Sequence, residues 1–351
     1  MRLKVVIFDS DIEFMNRLAD IFQKKYTNKI NLSIFSDIDK MYQSLSGNSA
    51  DVVLLGRPSR IDAGRIPAGI AAGYLSAGPD IDKIEGFPAI CKYQKAEAIY
   101  KLILNLYAES ASEVKLKKKA GNVRVVLFTS AQGGSGTSAA AASYAMHRAK
   151  EKKVFYLNLE KFGDSGLYFI GDGKMSFSDV IYALQSRKGN LMMKMESALQ
   201  TDSSGVDFFS SCRNVYDMFG LSDEDVQRLL QELSQIAAYE EIVVDLSGDM
   251  TERMVMLMRD HADKIVYVSD GSLTGNGKFE RFCEAARVME QREGYELLGK
   301  ACLLYNRYSS RHSVQLQMTA IPVIGGIHRF EGAVGRELCE KIACMDVLDY
   351  I

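Results

Sequence analysis

The sequence has no apolar run long enough to cross a bilayer, and its first one, Val5 to Phe8, is too short for a secretory leader. A cytoplasmic protein is expected. It also lacks a charge excess: 43 Lys and Arg stand against 45 Asp and Glu, a net charge of -2. There is thus no global pull toward nucleic acid or an anionic membrane. Six cysteines, Cys91, Cys212, Cys283, Cys302, Cys339 and Cys344, form no CxxC pair, and no histidine cluster accompanies them. That argues against a metal site or disulfide framework and leaves buried free thiols as the expectation. No internal repeat or low-complexity tract stands out.

What is present is strand–helix alternation, twice over, in 351 residues, too many for one typical core. In residues 1–108, LKVVIF, LSIF, DVVLL, GIAAGYLS and GFPAIC read as strands. Residues 12–26 place Phe14, Leu18 and Phe22 at helical spacing, and residues 96–107 form a closing amphipathic helix. Residues 109–122, ESASEVKLKKKAGN, read as a linker, with Lys115, Lys117, Lys118 and Lys119 in solvent. In residues 123–351, VRVVLFT, VFYLNL, EEIVVDLSG, HADKIVYVSD, KACLLYNR and AIPVIGGI read as strands. Helical patterns fall at 137–150, 223–237, 251–260, 278–292 and 331–343, while residues 191–211 show no clear period. The expected class is α/β, with two doubly wound domains.

The chemistry concentrates after the strand VRVVLFT, where AQGGSGTS leads into an alanine-rich helix. Gly133, Gly134 and Gly136 let successive backbone N–H groups turn toward one anion, and the helix start adds its positive end. Measured against the phosphate-loop pattern GxxxxGK[ST], Ala131 replaces the first glycine, Thr137 replaces the lysine, and Ser138 keeps the hydroxyl for Mg²⁺. Asp245 ends an apolar strand, where an acid can orient Mg²⁺ or its water. Asn306 and Arg307 end a later strand, where an amide can read a base edge. The candidate nucleotide-binding set is Gln132, Gly133, Gly134, Ser135, Gly136, Thr137, Ser138, Asn306 and Arg307, with Ser138 and Asp245 for the metal.

The first domain resembles a response-regulator receiver. Asp9 is kept, Ser10 takes the second acidic position with Asp11 just beyond, and Lys92 stands at the receiver lysine. Gly56 occupies the place of the phospho-accepting aspartate. The resemblance implies a receiver-shaped module that cannot be phosphorylated in the usual way and works by protein contact. Asp9, Asp11 and Lys92 are expected to form a solvated ion cluster.

Residues 123–351 resemble the MinD/ParA class of P-loop ATPases, whose loop reads KGGxGK[TS]. QGGSGTS matches its glycines and final hydroxyl but neither lysine. The Asn306–Arg307 pair and the segment IGGIHRFEGAVGREL fit the same class, although His328 stands where proline is usual. Joined to a receiver-like domain, and with KFGDSGLYF at residues 161–169, the chain resembles the TadZ/CpaE family of pilus-assembly localisation proteins. The resemblance implies ATP and Mg²⁺ as ligands, a homodimer, pilus and secretion assembly proteins as partners, and a place at a cell pole or the inner face of the membrane. The early lysine of the class reaches the partner's nucleotide across the dimer, which Gln132 cannot do. Asn158 and Glu160 stand where two water-positioning aspartates are usual, so Glu160 and Asp164 are weak catalytic candidates. Lys161 or Lys174 could supply a substitute cation. The expectation is an ATP-binding localisation scaffold with slow or no hydrolysis; an active ParA/MinD-like ATPase is the alternative. DNA binding through Arg281, Arg287, Arg292, Arg307 and Arg311 is disfavoured by the net charge, and the mixed-charge tail argues against direct membrane insertion.

Overall fold

The computed structural model describes residues 2–45, 50–56, 61–67, 69–110, 123–187, 190–235, 239–309 and 311–351. Most of the expected linker, with its four clustered lysines, lies outside them. The chain divides into two compact units, Met1–Lys117 with Tyr182–Ala198, and Lys118–Ile181 with Leu199–Ile351.

In the first unit, runs such as VVIF and VVLL are buried on both faces, which suits a parallel sheet. Strands β1 (Leu3–Phe8), β2 (Ile30–Phe35), β3 (Val52–Gly56), β4 (Ala71–Ser76), β5 (Lys83–Ile84) and β6 (Phe87–Cys91) form one sheet ordered β2-β1-β3-β4-β6-β5. All neighbours are parallel except the β5–β6 hairpin. Helix α1 (Ile12–Lys25) is capped by the Asp11 carboxylate, which accepts the Phe14 N–H at 3.0 Å, and turns Met15, Leu18 and Phe22 inward. Helices α2 (Ile38–Leu45) and α3 (Ala96–Ser110) complete the local chain. The sheet order is the flavodoxin-like one, in which chain direction switches between β1 and β3 and side chains converge beyond the strand ends.

One helix of this unit comes from far along the sequence. After α5 (Phe177–Ser186), helix α6 (Leu191–Ala198) packs on α3, and Met193 joins the core of the first unit. The Lys194 ammonium donates to Glu109 at 2.9 Å and to Asn105, while the Glu196 carboxylate accepts from Tyr100 OH at 2.9 Å. The sequence gives α6 no clear signal, because most of its faces are covered and the apolar stripe of a surface helix is missing.

The second unit holds β7 (Arg124–Thr129), α4 (Thr137–Arg148), β8 (Val154–Asn158), β9 (Leu199–Thr201), β10 (Asp207–Phe209), α7 (Asp217–Gly220), α8 (Asp223–Leu233), β11 (Glu241–Asp245), α9 (Glu252–Met256), β12 (Lys264–Ser269), α10 (Leu273–Glu293), β13 (Ala301–Tyr308), β14 (Val323–His328) and α11 (Gly335–Ile342). Its sheet runs β14-β13-β12-β7-β11-β8-β10-β9, parallel apart from the β9–β10 pair. Strand β7 lies between β11 and β12, so the loop after β7 opens at the carboxyl edge where the ends of β11, β12 and β13 also arrive. The alanines of α4 pack tightly there: Ala140, Ala141, Ala142 and Ala145 are fully buried.

Several boundaries differ from the expectation. Helix α10 begins at Leu273 rather than at residue 278, because Ser272 caps it by accepting the Gly275 N–H at 3.1 Å, and TGNG is helical. Helix α9 passes at Leu257 into a π-helical turn ending at His261. The expectation of six buried thiols is corrected: Cys344 is exposed and Cys212 half-buried.

Candidate nucleotide site and receiver pocket

The turn after β7 is built for the geometry the glycines suggest. Gly134 and Gly136 take left-handed φ values of 76° and 78°, and Gly136 is the N-cap of α4 with no side-chain cap. Among the described residues, the backbone N–H groups of residues 133–138 form no backbone hydrogen bond outside helix α4 and the tight turn at Gly133 and Gly134. Ser135 and Thr137 are buried. A helix start with unclaimed N–H groups and no cap is a site for an anion.

The two residues at the lysine places are both engaged within the chain. The Thr137 hydroxyl pairs with the Ser135 hydroxyl at 2.8 Å. The Gln132 amide donates to Ser272 Oγ at 3.4 Å, and its oxygen lies 3.5 Å from the Asp270 N–H. Gly275 allows this approach, because a Cβ there would stand 2.4 Å from Gln132 Oε1.

Beside the loop lies a pair of carboxylates. Asp245, at the end of β11, is fully buried; its Oδ2 accepts from Tyr156 OH at 2.9 Å and its Oδ1 has no partner. The Ser138 hydroxyl donates to Glu160 Oε2 at 3.3 Å. Burial, and then the Glu160 charge, push the Asp245 carboxyl up to about 7, although the hydrogen bond from Tyr156 opposes the shift. Burial raises Glu160 as well. An orphaned buried carboxylate oxygen, a second carboxylate and a hydroxyl form a hard oxygen donor set, the kind Mg²⁺ takes with water and phosphate. Among the described residues no group of three or more acidic, His or Cys side chains is placed to hold a metal alone, so bound water and phosphate would have to complete the shell.

The remaining candidates fall around this centre. Asn158 pairs in register with Asp245, and its Oδ1 accepts the Glu160 N–H at 2.9 Å. Asp164 is exposed and caps a short turn, accepting from Gly166 N–H at 2.9 Å and Ser211 Oγ at 2.6 Å. Asn158, Glu160 and Asp164 line a cavity of about 230 Å³ with Phe177 and Cys212. The Lys161 ammonium sits 5.5 Å over the Phe219 ring. Asn306 is buried against the loop: its Nδ2 donates to the Ser135 and Gly136 carbonyls at 2.9 and 3.2 Å, and Arg307 Nη1 donates to the Gly134 carbonyl at 2.8 Å. Sequence reasoning missed Tyr156, Tyr267, whose hydroxyl accepts the Ala131 N–H at 3.2 Å, and Gly248, where a Cβ would lie 2.2 Å from the Ser130 carbonyl carbon. Only Tyr156 had a usable signal, since it shares a strand face with Asn158.

In the first unit the switch-point pocket is closed. Asp9 is 1% exposed, and Lys92 Nζ lies 3.2 Å from its Oδ2 and 3.5 Å from Asp11 Oδ2. A Cβ on Gly56 would stand 2.4 Å from the Asp9 carboxyl carbon. The neighbouring aspartate has thus filled the space a phospho-accepting side chain would need. The expected solvated cluster is corrected: its central carboxylate is buried, and the pair behaves as a buried one, costly to break. Burial alone would lower the Lys92 pKa, but Asp9 outweighs it and the ammonium is held above its ordinary value.

Residues 1–108 match the family model of the TadZ-like receiver domain. The N-terminal domain is a TadZ-like receiver. No curated protein matches the chain. Among solved structures, the chain is similar to a ParA family ATPase from Chlorobium tepidum, with 19% identity and a TM-score of 0.52 over 65% of this chain and 97% of that one. It is also similar to the MinC:MinD cell division complex of Aquifex aeolicus, with 16% identity, a TM-score of 0.47 and coverage of 65% and 94%. A further neighbour is the septum site-determining protein MinD with Mg-ADP from Pyrococcus horikoshii, with 16% identity, a TM-score of 0.49 and coverage of 65% and 88%. At 19% identity the likeness to the first is one of fold alone. A TadZ-like receiver at residues 1–108, in a chain that also carries a ParA-like fold, is consistent with the TadZ/CpaE architecture. Among the described residues no helix is long and apolar enough to cross a membrane.

Proposed function

We propose that the chain is an ATP-binding localisation scaffold for assembly of a Tad-type pilus or secretion machine, with slow or no hydrolysis. The observation that carries this reading is the glycine turn and uncapped helix start at residues 133–138 beside an unpartnered Asp245 oxygen, with no lysine in the loop. In this reading residues 132–138 cradle the phosphates. Ser138 and Asp245 hold Mg²⁺ directly or through water, and the ion supplies the positive charge the loop lacks. Thr137 and Gln132 bring no charge of their own to developing negative charge on the phosphates, so the site holds the nucleotide better than it cleaves it. The ligand then favours whichever assembled state binds it more tightly, here a homodimer. The TadZ-like receiver, with its pocket closed by Asp9, serves as a contact module for assembly partners.

Sedimentation of the purified chain tests the assembly step. Mg-ATP should shift it from monomer toward dimer, and Mg-ADP should do so less. Identical sedimentation with and without ATP would remove the ligand from the assembly mechanism. One observation favours the second reading, an active ATPase: Glu160, raised by burial and joined to Ser138, is a carboxylate that could orient a water.

A further inference from the structure

Asn306 spends both of its amide N–H donors on the loop, and Arg307 commits a guanidinium N–H to it as well. An amide side chain has two N–H donors on one nitrogen. Both directions from Asn306 Nδ2 lead to the loop, to the Ser135 carbonyl at 2.9 Å and the Gly136 carbonyl at 3.2 Å. Its Oδ1 accepts the Arg307 N–H at 3.0 Å. Arg307 Nη1 reaches the Gly134 carbonyl at 2.8 Å. Three successive carbonyls therefore face the end of β13. In a planar trans peptide the following N–H points the opposite way, so the N–H groups of Ser135, Gly136 and Thr137 are turned toward the anion cradle.

Two further features fit this contact. Arg307 holds a left-handed φ of 56°, uncommon for any residue but glycine, where the β13–β14 register shifts between Tyr305 and Tyr308. At Gly136 a Cβ would stand 2.4 Å from Asn306 Nδ2, so only glycine lets the amide close on the loop.

We propose that Asn306 and Arg307 are positioning residues: a clamp that sets the direction of the phosphate-binding N–H groups and does not read the base. The site recognises the polyphosphate of its ligand through this clamp. The inference rests on the nucleotide reading above and deepens it.

Calorimetry with Mg²⁺ and three probes, ATP, GTP and inorganic tripolyphosphate, separates the roles. In Asn306→Ala and Asn306→Asp all three affinities should fall by one common factor, about tenfold or more, with the ATP-to-GTP ratio unchanged. Loss of ATP affinity with tripolyphosphate binding intact would overturn the clamp and restore base reading. A ligand-free arm keeps the two readings apart. Thermal melts of Gly136→Ala, Asn306→Ala and the double variant form a cycle. The clamp predicts that Gly136→Ala lowers Tm less when Asn306 is already truncated, whereas an equal drop in both backgrounds overturns it. If the wild-type chain binds none of the probes, the nucleotide reading fails and the melting cycle alone decides the clamp.

Discussion

Asp245→Asn is expected to make the ligand-free protein more stable at pH 8 while removing most of its Mg²⁺-dependent ATP affinity. Asp245 is fully buried, its Oδ1 has no partner, and its carboxyl is pushed up to about 7, first by burial and then by the Glu160 charge. A carboxyl raised above its unfolded value of about 3.9 favours the folded state in its protonated form. Its contribution is therefore intact below about pH 4, declines as pH rises toward about 7, and is fully lost above that. The amide variant carries no charge and escapes this decline, and its oxygen can still accept from Tyr156. The gain at pH 8 is on the order of 2–4 kcal/mol, or roughly 5–10 °C in Tm. Melting curves of both proteins from pH 5 to 8 should diverge as pH rises. Parallel curves would show that Asp245 does not carry the strain. In the opposite sense, Mg-ATP affinity should fall about ten- to hundredfold in the variant, and in the wild type it should weaken below about pH 7.

Returning lysine to the loop should have the second large effect. Thr137 stands at the start of α4, and a lysine there would put an ammonium beside the uncapped N–H groups of that helix start. Thr137→Lys is expected to raise ATP affinity about ten- to hundredfold, with ADP gaining less. Thr137→Ala, which also breaks the 2.8 Å hydroxyl pair with Ser135, is the control and should not gain. Adding Gln132→Lys offers a charge to the nucleotide of a second copy. By analogy with arginine fingers, turnover should then rise about 10³-fold and depend on protein concentration. Calorimetry and phosphate release on the single and double variants read both effects. No gain in affinity from Thr137→Lys would mean that phosphate does not sit in the loop.

Much of this arrangement was legible in the sequence. The glycines of the loop, Asp245 at the end of β11 and Asn306 at the end of β13 are all at strand ends, and the order of strands places those ends together. What lay hidden was how the groups use one another. Glycine in place of aspartate at position 56 reads as a missing nucleophile, but only the fold shows Asp9 standing in the vacated space. Asn306 at a strand end suggests a free amide, yet its donors turn back to carbonyls some 170 positions earlier in the chain. The hairpin β9–β10 is too short to show a period, and α6 is covered on most faces and therefore lacks one. Helix α10 starts early because a serine cap outweighs the glycines at 275 and 277 in its first two turns.

The central claim is that this lysine-free loop holds ATP without consuming it. The direct measurement is calorimetric titration of the purified chain with ATP and Mg²⁺, alongside ADP, with phosphate release assayed on the same sample. The account predicts binding near micromolar affinity that requires Mg²⁺, and no phosphate release above background. Steady turnover, or no binding of either nucleotide, would contradict it.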